Sequence, residues 1–400
     1  MSNPNHRYEV SAANWWTLIV TLGVTVPGFF LGLTHAETTP LLGSLLFGIA
    51  IFGAAFMLSW AAEAAQIDIS ESLAVAILAL LAVLPEYAVD FVFTWRAAHI
   101  PEEAHYAIAN MTGANRLLVG LGWPAVLAIY VLAKKRKEII MDSGQRVEVF
   151  YLAMATIYSF TIPLKGSLNL IDTVILVTLF GLYTRRVAGM KSVEPEVIGP
   201  VKIIANMSNR PRRLATVGMF GFAGAVIFFV AEPFAHSLVA MGSQFGVDEF
   251  LLVQWLAPIA SEAPEFIVAA TWASRGMAGS ALKALISSKV NQWTLLVGTI
   301  PLVFSISSGA VRAFPLDELQ NHELLLTAAQ SLFALAVIVN LRFSRAEGLL
   351  LFGLFAAQLV VEQIRMEVMV IYIILAVVYL VLQRQHLLPA MRTGLGLKEK

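Results

Sequence analysis

Two short stretches decide the fold class: LPEYAVDFVFTW at residues 84–95 and APEFIVAATWA at residues 263–273. Each stretch carries a Pro-Glu pair, at Glu86 and at Glu265, deep inside an apolar segment. A carboxylate at membrane depth costs about 2.5–3.5 kcal/mol on insertion scales, so both glutamates are expected to face a polar interior. Proline opens the helical hydrogen-bond ladder beside each one, and the freed carbonyls can line a cavity. The pattern therefore predicts membrane helices that are interrupted at a polar site.

The segments that follow the two glutamates also resemble each other. NMTGANRLLVGLGWP at 110–124 parallels SSKVNQWTLLVGTIP at 287–301, which aligns Asn115 with Asn291. The number of residues between the two glutamates nearly equals the number between the two asparagines. Five spans repeat on this alignment, and an odd number of spans forces the second copy to insert upside down. Inverted repeats with broken helices at the midplane are a recurring transporter design.

The composition of the chain is that of a membrane protein. Its 400 residues are 58% hydrophobic and only 14% charged, which lies outside the range of soluble globular proteins. Apolar runs and their breakers predict twelve spans, near residues 15–33, 41–62, 71–95, 104–133, 147–163, 168–184, 214–240, 249–273, 281–310, 323–341, 347–361 and 367–383. We therefore predict an all-α polytopic membrane protein with two inverted five-helix repeats and one extra helix at each end.

The spans divide the chain into five predicted regions. They are an N-terminal extra helix at 1–40, a first repeat at 41–184, a basic cytoplasmic loop at 185–213, a second repeat at 214–361, and a C-terminal helix and tail at 362–400. Alternate connecting segments carry 20 and 4 Lys and Arg residues, which supports an even number of spans. By the positive-inside rule, both termini are cytoplasmic. We expect the inner (plasma) membrane of a bacterium as the location.

Charge and cysteine content exclude several kinds of site. The net charge of zero argues against a nucleic-acid partner, and the absence of cysteine excludes a disulfide, a thiol nucleophile and a thiolate metal site. The predicted partners are small inorganic cations and the lipid bilayer. No cofactor is predicted.

Further oxygen-bearing side chains lie near the two glutamates in the sequence. Asp90 comes four positions after Glu86, and Glu262 comes three before Glu265, so each pair shares a helix face. An asparagine follows each glutamate at a similar distance along the chain, at 115 in the first copy and at 291 in the second. Carboxylate and amide oxygens are hard donors, which suit sodium, calcium or a proton better than a transition metal.

Three basic residues also fall inside predicted spans: Arg116 beside the first asparagine, and Lys283 and Lys289 before the second. They could neutralise Asp90 and Glu262 in structural pairs. They could equally act as built-in cations that replace one transported ion, and Lys283 could reach the interface by snorkelling. We predict that five residues surround the site, namely Asp90, Glu262, Asn110, Arg116 and Lys289.

Taken together, the motifs resemble those of the sodium/calcium exchanger (cation/calcium antiporter) superfamily, in a divergent prokaryotic form. The pattern of that family is roughly G-T-S-x-P-E, followed by G-N-x-x-G-S-x-x-x-N/D. The resemblance covers about residues 41–184 and 214–361, and the terminal helices fall outside it. It implies six cation ligands, with the two glutamates as the metal-binding pair: Glu86, Glu265, Asn115, Asn291, Ser261 and Ser287.

The chain departs from the family pattern at five positions. Ala82 and Val83 replace the threonine and serine of the first repeat, and Met111 replaces the serine before the first asparagine. Glu262 replaces a serine of the second repeat, and Lys289 stands inside the second ligand segment. These changes argue against the full set of three sodium sites and one calcium site that the family pattern implies.

The sequence thus favours a secondary-active cation antiporter and not an enzyme. Our first expectation is the export of Ca²⁺ in exchange for H⁺ or Na⁺, by alternating access at a midplane carboxylate site. Exchange of Na⁺ for H⁺ without calcium is the alternative. An integral membrane enzyme or a channel is more remote, and saturable counter-transport distinguishes an antiporter from both. Stoichiometry and oligomeric state do not follow from the sequence.

Overall fold

The computed structural model describes residues 8–68, 84–190, 197 and 199–397. Over these residues the protein is almost entirely helical, as predicted. Its helices are α1 (Ala12–Thr34), α2 (Pro40–Ala65), α3 (Leu84–Ala97), α4 (Ala104–Leu117), α5 (Trp123–Lys134), α6 (Arg146–Ser159), α7 (Thr161–Lys165), α8 (Leu170–Ala188), α9 (Val201–Ala205), α10 (Asn209–Phe245), α11 (Glu249–Arg275), α12 (Ala278–Asn291), α13 (Val297–Ser307), α14 (Glu318–Ile338), α15 (Arg345–Val360), α16 (Arg365–Leu382) and α17 (Leu387–Gly394).

Nine helical segments of the described part are long and apolar enough to cross a membrane. They confirm the prediction of a polytopic helical membrane protein. Helices α8, with 19 residues, and α15, with 16, lie where two further spans are predicted but are not among the nine. The third predicted span, 71–95, falls partly on residues 69–83, which lie outside the described residues. The total of twelve spans therefore stays a prediction.

Three more sets of predicted features fall on residues that the structure does not describe. The family departures at Ala82 and Val83 belong to the same stretch, 69–83. Most of the segment KSVEPEV in the basic loop also lies outside the described residues. So do the terminal cationic residues that support the orientation of the chain, which are Arg7, Lys398 and Lys400.

The described residues form two compact units. The first unit consists of Met1–Val92, Ala188–Leu252 and Ala260–Pro264, and its main packing is that of α2 against α10 and α1. A side chain at Gly32 of α1 would overlap the backbone carbonyl of Phe229 in α10. Small residues of this kind let membrane helices approach closely, where van der Waals packing holds them together.

Ionic and polar contacts hold the polar end of this first unit. Asp68, just after α2, accepts hydrogen bonds from Arg212 at 2.7 and 2.8 Å and from Arg213 at 3.1 Å. The hydrogen bond from Arg212 is the main reason that the pKa of Asp68 lies below its usual range. Tyr8 and Asn206 exchange two further hydrogen bonds, of 2.8 and 2.7 Å. The basic loop is therefore tied to the end of α2 by its cationic residues.

The second unit consists of Phe93–Val187, Val253–Ile259 and Glu265–Lys400. Four short strands join its helices in two antiparallel pairs, β1 (Glu138–Ile140) with β4 (Arg342–Ser344), and β2 (Ser167–Leu168) with β3 (Phe314–Pro315). The number of residues from the end of β1 to the end of β3 nearly equals the number between the two aligned asparagines. The same holds from the end of β2 to the end of β4. In the repeat alignment β1 therefore corresponds to β3, and β2 corresponds to β4. The two strand pairs are then equivalent to each other, as a twofold relation between the repeats requires.

A second structural feature also occurs once in each copy. A five-residue π-helical segment follows α4, at Leu118–Gly122, and another follows α12, at Gln292–Leu296. Each segment comes directly after the helix that carries the aligned asparagine. Single π-helical turns of this kind occur often at functional sites, because they rotate the helix and re-aim its side chains. The pair supports the internal repeat that the sequence predicts.

Candidate functional site

Four of the predicted polar residues lie in the first unit, and all four are buried. Glu86 stands in the first turn of α3 with 2% of its surface exposed, and Asp90 follows one helical turn later with 3%. Ser261 and Glu262 lie side by side in the middle of α11, with 7% and 3% exposed. Burial of three carboxylates inside apolar helices is costly. This cost supports a functional reason for keeping them.

The other predicted ligands lie in the second unit. Asn115 is fully buried in the last turn of α4, and Asn291 is buried at the end of α12. Glu265 is half-buried in α11, and its carboxylate lies close to the hydroxyl of Ser288 in α12. Tyr183 of α8 donates a hydrogen bond of 2.9 Å to the hydroxyl oxygen of Ser287. Helix α12 therefore brings the hydroxyl of Ser288 to Glu265.

Close packing against α11 sets the position of α4. A side chain at Gly113 would overlap the backbone carbonyl oxygen of Gln254 in α11. Asn110, another predicted neighbour of the site, is buried in the same helix. Asn115 lies two positions after the glycine, so this tight contact also places its amide.

Lys289 lies entirely inside the protein, beside the first asparagine. Its ammonium donates a hydrogen bond of 2.8 Å to the side-chain oxygen of Asn115 and one of 3.2 Å to the backbone oxygen of the same residue. It also lies 4.6 Å from the ring centre of Trp293. The structure therefore places a lysine on an oxygen that the sequence assigns to a transported cation.

Arg116 enters a different polar cluster. Its guanidinium forms an ion pair with Glu323 of α14 and donates a hydrogen bond of 2.9 Å to Gln358. The same carboxylate accepts from Arg365 at 2.8 Å and from Gln254 at 2.7 Å. We call these five residues the Glu323 cluster. It joins the helix of Asn115 to α11, α14, α15 and the start of α16.

Glu323 is not among the site residues predicted from the sequence, and neither is a related glutamate in α6. Glu148 has no exposed surface and forms an ion pair of 3.7 Å with Lys283 of α12. The two glutamates are separated by nearly the same step as the aligned asparagines, and each pairs with a base on the third helix of the other repeat. The repeat offset, applied to every acidic residue, could have identified them from the sequence. In the structure Arg116 and Lys283 have these glutamates as partners.

A cluster of three or more His, Cys, Asp or Glu side chains that could hold a metal ion is not found among residues 8–68, 84–190, 197 and 199–397. The polar interior is instead made of carboxylates, amides and hydroxyls contributed by several helices. The sequence model of the sodium/calcium exchanger protein family matches residues 39–188 and 215–362. The chain belongs to the sodium/calcium exchanger family. The two matched segments nearly coincide with the predicted repeats, and they contain every predicted ligand.

Solved structures agree with membership of the sodium/calcium exchanger family. The chain is 43% identical to an H⁺/Ca²⁺ exchanger, CAX, with a TM-score of 0.92 over 96% of this chain and 98% of that one. The Ca²⁺/H⁺ antiporter YfkE is 16% identical, with a TM-score of 0.61 over 85% of this chain and 99% of its own. The sodium-calcium exchanger NCX_Mj is 18% identical, with a TM-score of 0.51 over 86% and 98%. The last two show the shared fold. No curated protein sequence matches the chain.

Proposed function

We propose that the protein is a secondary-active antiporter that exports Ca²⁺ in exchange for H⁺. The observation that carries this proposal is the identity of 43%, along nearly the whole of both chains, to a protein described as an H⁺/Ca²⁺ exchanger. The likeness to a sodium-calcium exchanger stands at 18% identity and concerns the fold. Protons are therefore the better supported of the two expected counter-ions.

Six residues are proposed to bind the cation. The metal-binding pair is Glu86 and Glu265, and the neutral oxygens come from Asn115, Asn291, Ser261 and Ser287. Burial of Glu86 supports this assignment, because apolar helices keep a costly carboxylate only where it has a role. Asp90, Glu262 and Asn110 are proposed to lie around these ligands.

Competition for the same carboxylates would couple the two ion fluxes. A carboxylate holds either a metal ion or a proton, and two carboxylates are neutralised equally by one Ca²⁺ or by two protons. Calcium and protons then exclude each other from the site. Each would cross the membrane as the protein alternates between its two open states, because an ion shifts that equilibrium by its differential affinity.

The location and orientation are part of the same proposal. We place the protein in the inner membrane of a bacterium, with both termini in the cytoplasm. The distribution of 20 and 4 cationic residues between alternate connecting segments supports this orientation. Protons that enter the cell down their gradient would then drive calcium out.

The test is calcium uptake into proteoliposomes under an imposed proton or sodium gradient. We expect the proton gradient to drive uptake, and Glu86→Gln and Glu265→Gln to abolish it, because an amide has no charge to hold the metal and no site for the proton. Glu102→Gln is the matched control, since Glu102 is an exposed residue in the turn before α4.

Three results would contradict the proposal. Calcium uptake that persists in both variants would remove the paired glutamates from the site. Sodium-proton exchange without any calcium flux would establish the alternative function. Calcium movement that does not saturate, or that needs no counter-ion, would indicate a channel.

A further inference from the structure

The amide of Asn115 is held in one orientation. Its nitrogen donates a hydrogen bond of 2.8 Å to the backbone oxygen of Met111, one turn earlier in α4. Its side-chain oxygen is therefore turned toward Lys289, whose ammonium approaches to 2.8 Å. Met111 is the position at which the family pattern has a serine, so the hydroxyl that the pattern would supply here is absent.

The contacts of the Lys289 ammonium are of the kinds that hold a free monovalent cation. They include an amide oxygen, a backbone carbonyl oxygen and the face of an indole ring, at 2.8, 3.2 and 4.6 Å. Amide and carbonyl oxygens are typical ligands of hard cations, and the indole face attracts cations through its quadrupole. A compact ammonium on a flexible stem can reach such a place from the helix that carries it.

We propose that Lys289 is a specificity-determining residue, and that its ammonium is a tethered cation in the place beside Asn115 that Na⁺ would otherwise occupy. The inference rests on the proposed function, because it takes the oxygen of Asn115 as part of the cation site. Because the ammonium is covalently attached to the chain, it stays in this site. The site therefore neither binds nor releases an ion during transport. Sodium is thereby excluded as a driving ion.

A purely structural role predicts a different consequence. If Lys289 only fastens α12 to α4, its removal lowers the stability of the protein and leaves the choice of ion unchanged. If it occupies a cation place, its removal opens that place to Na⁺. The dependence of transport on sodium therefore separates the two roles, whereas a loss of stability does not.

The experiment compares wild type with Lys289→Met and Lys289→Arg in proteoliposomes. Methionine keeps much of the lysine volume and removes the charge, whereas arginine keeps the charge. We expect NaCl to inhibit proton-driven calcium uptake by Lys289→Met at a concentration about tenfold below any that affects wild type. The factor is that of one charge-assisted contact, which becomes available to Na⁺ when the ammonium is removed. Choline chloride at equal concentration controls for ionic strength. Lys289→Arg should remain insensitive.

Lys134→Met is the matched control, because Lys134 is an exposed lysine at the end of α5. We expect it to behave as wild type. Binding of radiolabelled sodium to the purified proteins provides a second readout that does not depend on transport. We expect a saturable component in Lys289→Met that wild type and Lys134→Met lack.

The outcomes separate this inference from the proposed function. Sodium insensitivity of Lys289→Met with intact calcium-proton exchange would overturn the inference and leave the proposed function standing. Calcium uptake driven by a sodium gradient in the wild type would also overturn it, without the need for a variant that folds. Absence of calcium transport in the wild type, together with sodium binding that Lys289→Met alone gains, would overturn the proposed function and support the inference.

Discussion

Single residues of α4 show how little additional side-chain volume the interior tolerates. Gly113 lies against the backbone of α11, where a methyl group would overlap the carbonyl oxygen of Gln254. A backbone carbonyl cannot turn away as the end of a flexible side chain can. The sequence marks Gly113 only as part of a repeated segment, because its neighbour lies in the other repeat, far along the chain. The requirement for glycine here is therefore a consequence of tertiary packing.

We predict that Gly113→Ala lowers the thermal stability of the detergent-solubilised protein and its transport rate. Overpacking of a close contact typically costs about 1–3 kcal/mol, and here it would also displace Asn115. The control is Gly181→Ala in α8, where an added methyl group meets open space. Equal melting temperatures for the two variants would show that α4 and α11 can separate without loss.

At the scale of helices, buried ion pairs connect elements that are far apart in the sequence. Glu323 of α14 binds arginines from α4 and from the start of α16, at positions 116 and 365. Glu148 of α6 holds Lys283 of α12 in the related place of the other repeat. The first predicted alternative for the bases, a structural pair, thus applies to Arg116 and Lys283, although with these glutamates and not with the residues that the sequence suggested. Lys289 donates hydrogen bonds to two oxygens of Asn115 in the candidate site.

We predict that Glu323→Gln is strongly destabilising. Removing one member of a buried ion pair typically costs about 3–5 kcal/mol, because it leaves the opposite charge without compensation. Here two arginines would lose their common carboxylate. Thermal unfolding in detergent is the measurement, and Glu318→Gln, an exposed position near the start of the same helix, is the control. A melting temperature equal to that of the control would mean that the cluster contributes nothing to stability.

At the scale of the whole molecule, several structural features recur along the chain as the predicted internal repeat requires. The strand pairs, the π-helical segments and the buried glutamates 148 and 323 each recur at nearly the same offset along the chain. A repeat that inserts upside down places equivalent residues at the same membrane depth from opposite sides. This relation underlies the proposal that Glu86 and Glu265 bind one ion together.

A shared ion predicts that the two glutamates act as one unit. We expect the double variant Glu86→Gln/Glu265→Gln to bind calcium no more weakly than the more severely affected single variant. Groups that hold the same ligand give strongly non-additive effects, whereas independent sites give free-energy changes that sum. Isothermal calorimetry with calcium on the purified proteins is the measurement. Additive losses in the double variant would mean that the protein has two separate sites.

Local patterns in the sequence were enough to predict the fold class and the family, and they also supplied the proposed ligands. Apolar runs of bilayer length admit only helices, and the Pro-Glu pairs stand out because a carboxylate is expensive in an apolar segment. These are local properties that can be read within one segment. The limits of most predicted spans agree with the described helices within several positions, for example 249–273 with Glu249–Arg275.

Which charged side chains meet depends on the packing of the helices and became visible in the folded structure. Arg116, Lys283 and Lys289 look alike in the sequence, as bases inside apolar helices near an asparagine. The folded chain sends the first two to buried glutamates in distant helices, and it brings the third to an amide oxygen of the other repeat. Such partners depend on how the helices pack and on the rotation that each π-helical turn introduces. The spacing of residues along a single helix carries no information about the packing or about this rotation.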